Sequence, residues 1–194
     1  RTAFIHVSDL VVGGNPKLDD KRDDKRDDKR DDKRDDKREE KSRTALNIVD
    51  HVYEGKKLVV QVIKEPMGSK GARLTAELSV STRYLVMLPQ TRHVGVSQLI
   101  EAAEERARLQ QVLAQALAVE NLGGSCGYIL RTAAEGVGQE KLAADLRYLH
   151  RLWAAVSRRA AAATQGQLLY EELPLYLRVA RDIVKPSVTR ILVD

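Results

Sequence analysis

The chain has 194 residues, with 33 Lys and Arg against 28 Asp and Glu, for a net charge of +5. That length holds one or two domains, and no apolar run nears the ~20 residues that a membrane span needs. The N-terminus lacks the charged and apolar regions of a signal peptide, and Cys126 is the only cysteine, which excludes an intramolecular disulfide and a cysteine-based zinc site and fits a reducing, cytoplasmic setting.

The charge is unevenly spread. Residues 19–41 contain 12 acids and 11 bases, a net of −1, so the rest of the chain carries +6. A basic folded part points to a polyanion, with nucleic acid the default, although basic domains without such a partner are common.

The chain opens on strand-formers without an initiator Met, and Asp194 directly follows an apolar run at 191–193. Both ends read as cut through structure, which predicts a fragment of a longer protein. Residues 2–7 alternate as a strand, with Phe4 and His6 on one face. Phe4 is the only Phe and has two readings. The plainer is a core side chain; the other is a platform on which a base stacks. His6 has no second ligand at metal spacing and is read as non-catalytic. Residues 13–16, Gly-Gly-Asn-Pro, mark a turn.

Five copies of Asp-Asp-Lys-Arg then run from Asp19 to Arg38, followed by Glu39-Glu40-Lys41. The tract has no apolar residue and cannot join a core. Its charges are mixed and nearly balanced, so it reads as a solvated insertion rather than an RNA-gripping tail.

Residues 45–53 show a short helical spacing through Leu46 and Val49. Residues 58–64 and 70–78 are β-rich and flank the Pro66-Met67-Gly68-Ser69 turn, which predicts a hairpin. Lys64, Lys70 and Arg73 crowd it with positive charge. A basic hairpin beside an aromatic strand is the makeup of an OB-type single-strand binder, though only about three of its five strands are visible.

Residues 84–88 predict another strand, stopped by Pro89, and residues 93–97 a loop. Ser97 stands where the N-cap of the next helix is expected. Residues 102–117 and 139–163 have amphipathic helical spacing, separated by a short strand at 128–130. A short strand at 167–170, a helix at 173–184 and a last strand at 188–193 complete the chain. From Tyr84 onward the pattern is α/β, which makes the whole chain α+β.

Between the strand at 128–130 and the helix at 139 stand Arg131 and Thr132, in the stretch Gly-Tyr-Ile-Leu-Arg-Thr-Ala-Ala-Glu-Gly-Val-Gly. A guanidinium at a strand end can take two phosphate oxygens at once, with a hydroxyl and loop amides for the others. Taken alone, these residues favour the plainer reading, an Arg paired with a carboxylate.

The segments LVVQVIKEPMGSKGARLT (58–75), RYLVMLP (83–89), HVGVSQLIE (93–101), YILRTAAEGVG (128–138) and ARDIV...ILVD (180–194) occur in order. Together they resemble the ribonuclease E/G family across the chain, apart from the charged insertion. The resemblance implies three parts. Residues 1–80 would be a partial OB-type RNA-binding domain interrupted by the insertion at 19–41. Residues 81–165 would be the domain called the 5′ sensor, and residues 166–194 part of a ribonuclease-H-like domain.

It implies residue roles as well. Arg131 and Thr132 match the pair that grips a terminal 5′ phosphate, and Val86 the apolar residue against the terminal base. Thr82 stands where many members have Gly, which implies a tighter pocket wall. Phe4 and Lys70 match residues on the RNA face of the OB-type domain, with Lys64 beside them. Gln98 and Leu99 stand where the ribonuclease E branch carries two arginines, and Leu99 cannot contact phosphate electrostatically.

The implied partner is single-stranded RNA with a 5′ monophosphate, and the full-length protein is implied to be a homo-oligomeric, magnesium-dependent endoribonuclease acting in RNA processing, including that of rRNA, and decay. The magnesium-binding aspartates and a paired-cysteine zinc link belong to a domain these residues do not contain. No catalytic or metal-ligating residue is therefore assigned here. The alternatives are a standalone RNA-binding protein without nuclease activity, or a decayed fragment.

Overall fold

The computed structural model describes residues 3–10, 48, 52–124, 126–184 and 187–192. The Asp-Asp-Lys-Arg tract, the turn at 13–16 and most of the expected helix at 45–53 lie outside these residues. The chain divides into two compact units, Arg1–Glu77 and Leu78–Asp194.

In the first unit, β1 (Ala3–Ile5), β2 (Gln61–Lys64) and β3 (Ala72–Thr75) form an open sheet in the order β1-β3-β2. The expected hairpin is present. β2 and β3 pair antiparallel, and β1 lies parallel to β3. Met67 and Lys70 exchange backbone hydrogen bonds of 3.2 and 3.1 Å across the turn. Gly68 sits inside it at φ +59°, a conformation that costs glycine little.

Only half of the expected strand at 58–64 forms. Past Thr75 its partner turns away, because the Ala76 amide donates to the Asp9 carbonyl at 2.8 Å and the Thr75 hydroxyl donates to the same oxygen at 3.1 Å. Among the described residues these strands form no closed barrel. Phe4 is 52% exposed, which overturns its core reading.

The second unit is built on the sheet β4-β5-β7-β6. Its strands are β4 (Val80–Ser81), β5 (Leu85–Leu88), β6 (Val94–Val96) and β7 (Gly127–Leu130). β5 alternates: Leu85 and Met87 are buried, while Val86 and Leu88 are half-buried. Leu85 lies opposite Leu130 and Met87 opposite Tyr128, so one face of the sheet is apolar throughout. Helices α1 (Ala103–Val119) and α2 (Gln139–Ala162) seal that face and pack on each other. Leu109, Leu113 and Ala116 from α1 and Leu142, Leu146 and Leu149 from α2 enter the core at spacings of four and three, one stripe of each helix.

The expected loop at 93–97 is instead strand β6, parallel to β7. Parallel pairing joins segments far apart in sequence, so local pattern does not reveal it. Gly127 makes the approach possible: a Cβ there would lie 2.5 Å from the His93 carbonyl oxygen. Ser97 does not cap α1, whose first helical residue is Ala103 and whose cap residue is Ala102.

The expected strand at 167–170 is absent. Thr164 and Gln167 close a turn on each other, and Arg159 donates to the Leu169 carbonyl at 3.1 Å. Helix α3 (Leu175–Ile183) follows, starting after Pro174, which suits a helix start because its missing N–H would be unpaired there. Residues 188–192 of the last expected strand pair with no strand among the described residues. Among the described residues no helix is long and apolar enough to cross a membrane.

Candidate functional site

The candidate site of the second unit lies where β5 begins and where β6 and β7 end. Tyr84 fixes this corner through its backbone. Its amide donates to Asp145 of α2 at 3.1 Å, and its carbonyl accepts from the Arg131 amide at 2.9 Å. Arg131 is thereby held directly after β7, and Thr132 opens a 3-10 turn, Thr132–Ala134.

The Arg131 guanidinium is engaged. Its Nη1 donates to the Thr82 and Arg83 carbonyls and to Asp182 Oδ1 at 3.1 Å, while Nη2 donates to Asp182 Oδ2 at 2.9 Å. This is the bidentate fork that Arg offers any carboxylate or phosphate. The plainer reading of Arg131, pairing with a carboxylate, is therefore what its side chain does here.

Asp182 is itself shared. Arg181 Nε reaches Oδ1 at 3.0 Å and its Nη2 reaches Oδ2 at 3.4 Å. Arg181 also donates to Glu172 at 3.0 Å and to the Ser81 carbonyl at 3.2 Å. Burial alone would raise the Asp182 carboxyl, but the hydrogen bonds from Arg131 and Arg181 outweigh it and hold the group at about 2, below its ordinary 3.8. Arg83 donates to the Val184 carbonyl, and its Nε is buried with no hydrogen-bond partner among the described residues. Two guanidinia, those of Arg131 and Arg181, thus share the Asp182 carboxylate, and Arg181 also holds Glu172.

Thr132 is exposed, and its hydroxyl lies 3.3 Å from that of Ser97. Ser97 Oγ accepts from the Leu99 amide at 3.3 Å, and the Ser97 carbonyl accepts from Arg106 at 2.7 Å. Two hydroxyls therefore stand together at the ends of neighbouring strands, one of them braced from α1. A second brace acts on the loop after Thr132. Glu105 accepts from the Gly136 amide at 2.8 Å, and Arg108 donates to the Val137 carbonyl at 3.1 Å. Hydrogen bonds from Arg108, then Gly136, draw the Glu105 carboxyl down to about 2. Gly136, at φ +71°, takes the left-handed turn that brings its amide round.

Of the residues expected at this site, Arg131 and Thr82 are in direct contact, but through the Thr82 carbonyl. The Thr82 side chain is buried, and its hydroxyl donates to the Leu85 carbonyl at 3.2 Å. Val86 stands on the sheet face away from the helices, opposite Ile129. Sequence reasoning missed Asp182, Glu172, Arg181 and Ser97 as members of the site. The adjacent Arg181-Asp182 pair was visible in the sequence, but nothing local links it to Arg131, 51 residues away.

In the first unit, strand register sets Phe4, Arg73 and Lys64 in one row across three strands. Lys64 and Lys70 are exposed. Arg73 is not available as a loose cation: it binds Asp9 at 2.9 and 3.3 Å. In that row Lys64 is the exposed cation, and Lys70 is exposed at the turn before β3. Among the described residues no group of three or more His, Cys, Asp or Glu could hold a metal ion, so the described residues offer no set that fits magnesium.

The sequence matches the description Ribonuclease E/G family over residues 79–194. Ribonuclease G of Escherichia coli (strain K12) is 46% identical over 151 residues, 78% of this chain and 30% of that protein. Ribonuclease G of Haemophilus influenzae is 42% identical over 148 residues, 76% of this chain and 29% of that protein. Ribonuclease E of Nostoc sp. is 37% identical over 152 residues, 78% of this chain and 21% of that protein. The chain thus spans less than a third of the length of these relatives.

Proposed function

This chain belongs to the ribonuclease E/G family, and we propose that its part in the family's work is to bind single-stranded RNA and recognise a 5′-monophosphate end. The observation that carries this reading is the Arg131 fork, which already holds an anion bidentately at 2.9 and 3.1 Å beside the Thr132 and Ser97 hydroxyls. A terminal phosphate presents two oxygens to the fork and a third to the hydroxyls. Val86, on the neighbouring strand, supplies the apolar contact for the terminal base.

On the same reading, residues 81–165 are a 5′ sensor, residues 166–194 belong to a ribonuclease-H-like part, and residues 1–80 are part of an OB-type domain. There, Phe4 would stack a base while Lys64 and Lys70 follow the backbone. The whole enzyme would be a cytoplasmic homo-oligomer that cuts RNA in processing and decay. Cleavage would fall to magnesium-binding aspartates in a domain outside these 194 residues.

The test is a binding titration with RNAs that differ only in a 5′ monophosphate or 5′ hydroxyl. Arg131→Ala is expected to remove about 1.5–3 kcal/mol of preference for the phosphate, the usual worth of a hydrogen bond to a charged group. An equal preference in wild type and variant would sink the assignment.

A further inference from the structure

We propose that Asp182 is a resident counter-anion that sets the specificity of the Arg131 pocket, admitting a terminal phosphate monoester and turning away the phosphodiesters inside the RNA chain. The inference rests on the 5′-phosphate reading above and adds to it the group the phosphate must replace.

Both Nη atoms of Arg131 donate to Asp182, one to each carboxylate oxygen. An anion that uses this edge has to take the place of the carboxylate. An internal phosphodiester has one negative charge and two free oxygens, the same as the carboxylate, so the exchange gains it little. A terminal monoester carries about −1.5 to −2 at neutral pH and three acceptor oxygens. It gains in charge at the fork and has an oxygen left for Thr132 and Ser97, whose hydroxyls lie 3.3 Å apart.

The displaced carboxylate is not stranded. Arg181 already reaches both of its oxygens, at 3.0 and 3.4 Å. Asp182 can therefore leave one guanidinium while keeping the other, which avoids the penalty of an unpaired charge in a partly buried site. Without such an occupant, the fork would bind the far more numerous internal phosphates and lose its preference for an end.

The experiment titrates the full chain with three single-stranded RNAs of one sequence, ending in a 5′ hydroxyl, a 5′ monophosphate or a 5′ methyl phosphate diester. In wild type the monophosphate is expected to bind about tenfold or more tightly, with the diester end behaving like the hydroxyl. In Asp182→Asn the hydroxyl and diester RNAs are expected to gain about tenfold, so that the preference collapses. An Asn variant that loses monophosphate affinity, or keeps the wild-type preference, overturns the inference and makes Asp182 a strut for Arg131. Asp182→Ser carries the same expectation should the Asn variant not fold. A wild-type diester end that binds as tightly as the monoester overturns the inference without any variant, and leaves the 5′-phosphate reading standing if the hydroxyl RNA stays weak. A wild type with no preference for either phosphate end removes that reading, and this inference with it.

Discussion

Helices α2 and α3 belong to the same unit but are held in opposite ways. α2 buries Leu142, Ala143, Leu146 and Leu149 in the core it shares with the sheet and α1, and Val156 is buried as well. α3 buries no residue, and Leu175, Tyr176, Val179 and Ile183 are exposed. Its ties are polar: Asp182 to Arg131, Arg181 to Ser81 and Glu172, and the Val184 carbonyl to Arg83. Apolar packing cannot be exchanged for a ligand, because it is non-directional and fills space. A charge-assisted hydrogen bond can be, because any anion of similar shape competes for the same donors. The corner built on α3 is therefore where an anion can enter without loosening the core.

The contrast can be broken at its strongest point first. Leu146→Ala removes a fully buried α2 side chain and is expected to cost about 2–5 kcal/mol of unfolding free energy, read as a lower urea midpoint. Next, Arg181→Met removes the hub that joins Glu172, Asp182 and Ser81. Hydrogen bonds to charged groups suggest a loss of about 1.5–3 kcal/mol. It should speed amide exchange in α3 by tenfold or more while leaving α2 protected, and equal protection of both helices would contradict the contrast.

Acid offers a milder probe. Asp182 has a depressed carboxyl, about 2 against an ordinary 3.8, so its charged form favours the folded state. That contribution is fully present above pH 3.8 and is lost as pH falls through about 2. A carboxyl titration followed by NMR should place its midpoint near 2, with α3 loosening over that window before α2. The smallest expected effects fall on the first unit. Phe4→Ala, at an exposed position, should change stability by less than about 0.5 kcal/mol. Lys70→Ala should lower the salt slope of RNA binding by about 0.7.

Much of the second unit was legible in the sequence, because its elements obey short periods. The 3.6-residue stripes of α1 and α2 and the apolar run of β5, stopped by Pro89, come from which side chains can be buried, and those patterns are contained within a few residues. The hairpin of the first unit was legible for a related reason, since its turn residues sit between two β-rich runs. Arg131 and Thr132 were legible as groups that can take an anion, but residue chemistry alone favoured an Arg paired with a carboxylate, which is how Arg131 is found.

Tertiary structure decided the rest. β6 exists because β7 offers a parallel edge and Gly127 has no side chain to obstruct it. Among the described residues, 188–192 of the expected last strand pair with no strand, since β-propensity makes no strand without a partner to complete the ladder. Above all, the choice between an open Arg131 and a paired one depended on Asp182, which reaches it only when α3 is brought to the β4–β5 turn. Composition and periodicity could determine which residues favour helix, strand and charge. Which charges meet is set by contacts between segments far apart in the chain, and only the folded structure specifies those.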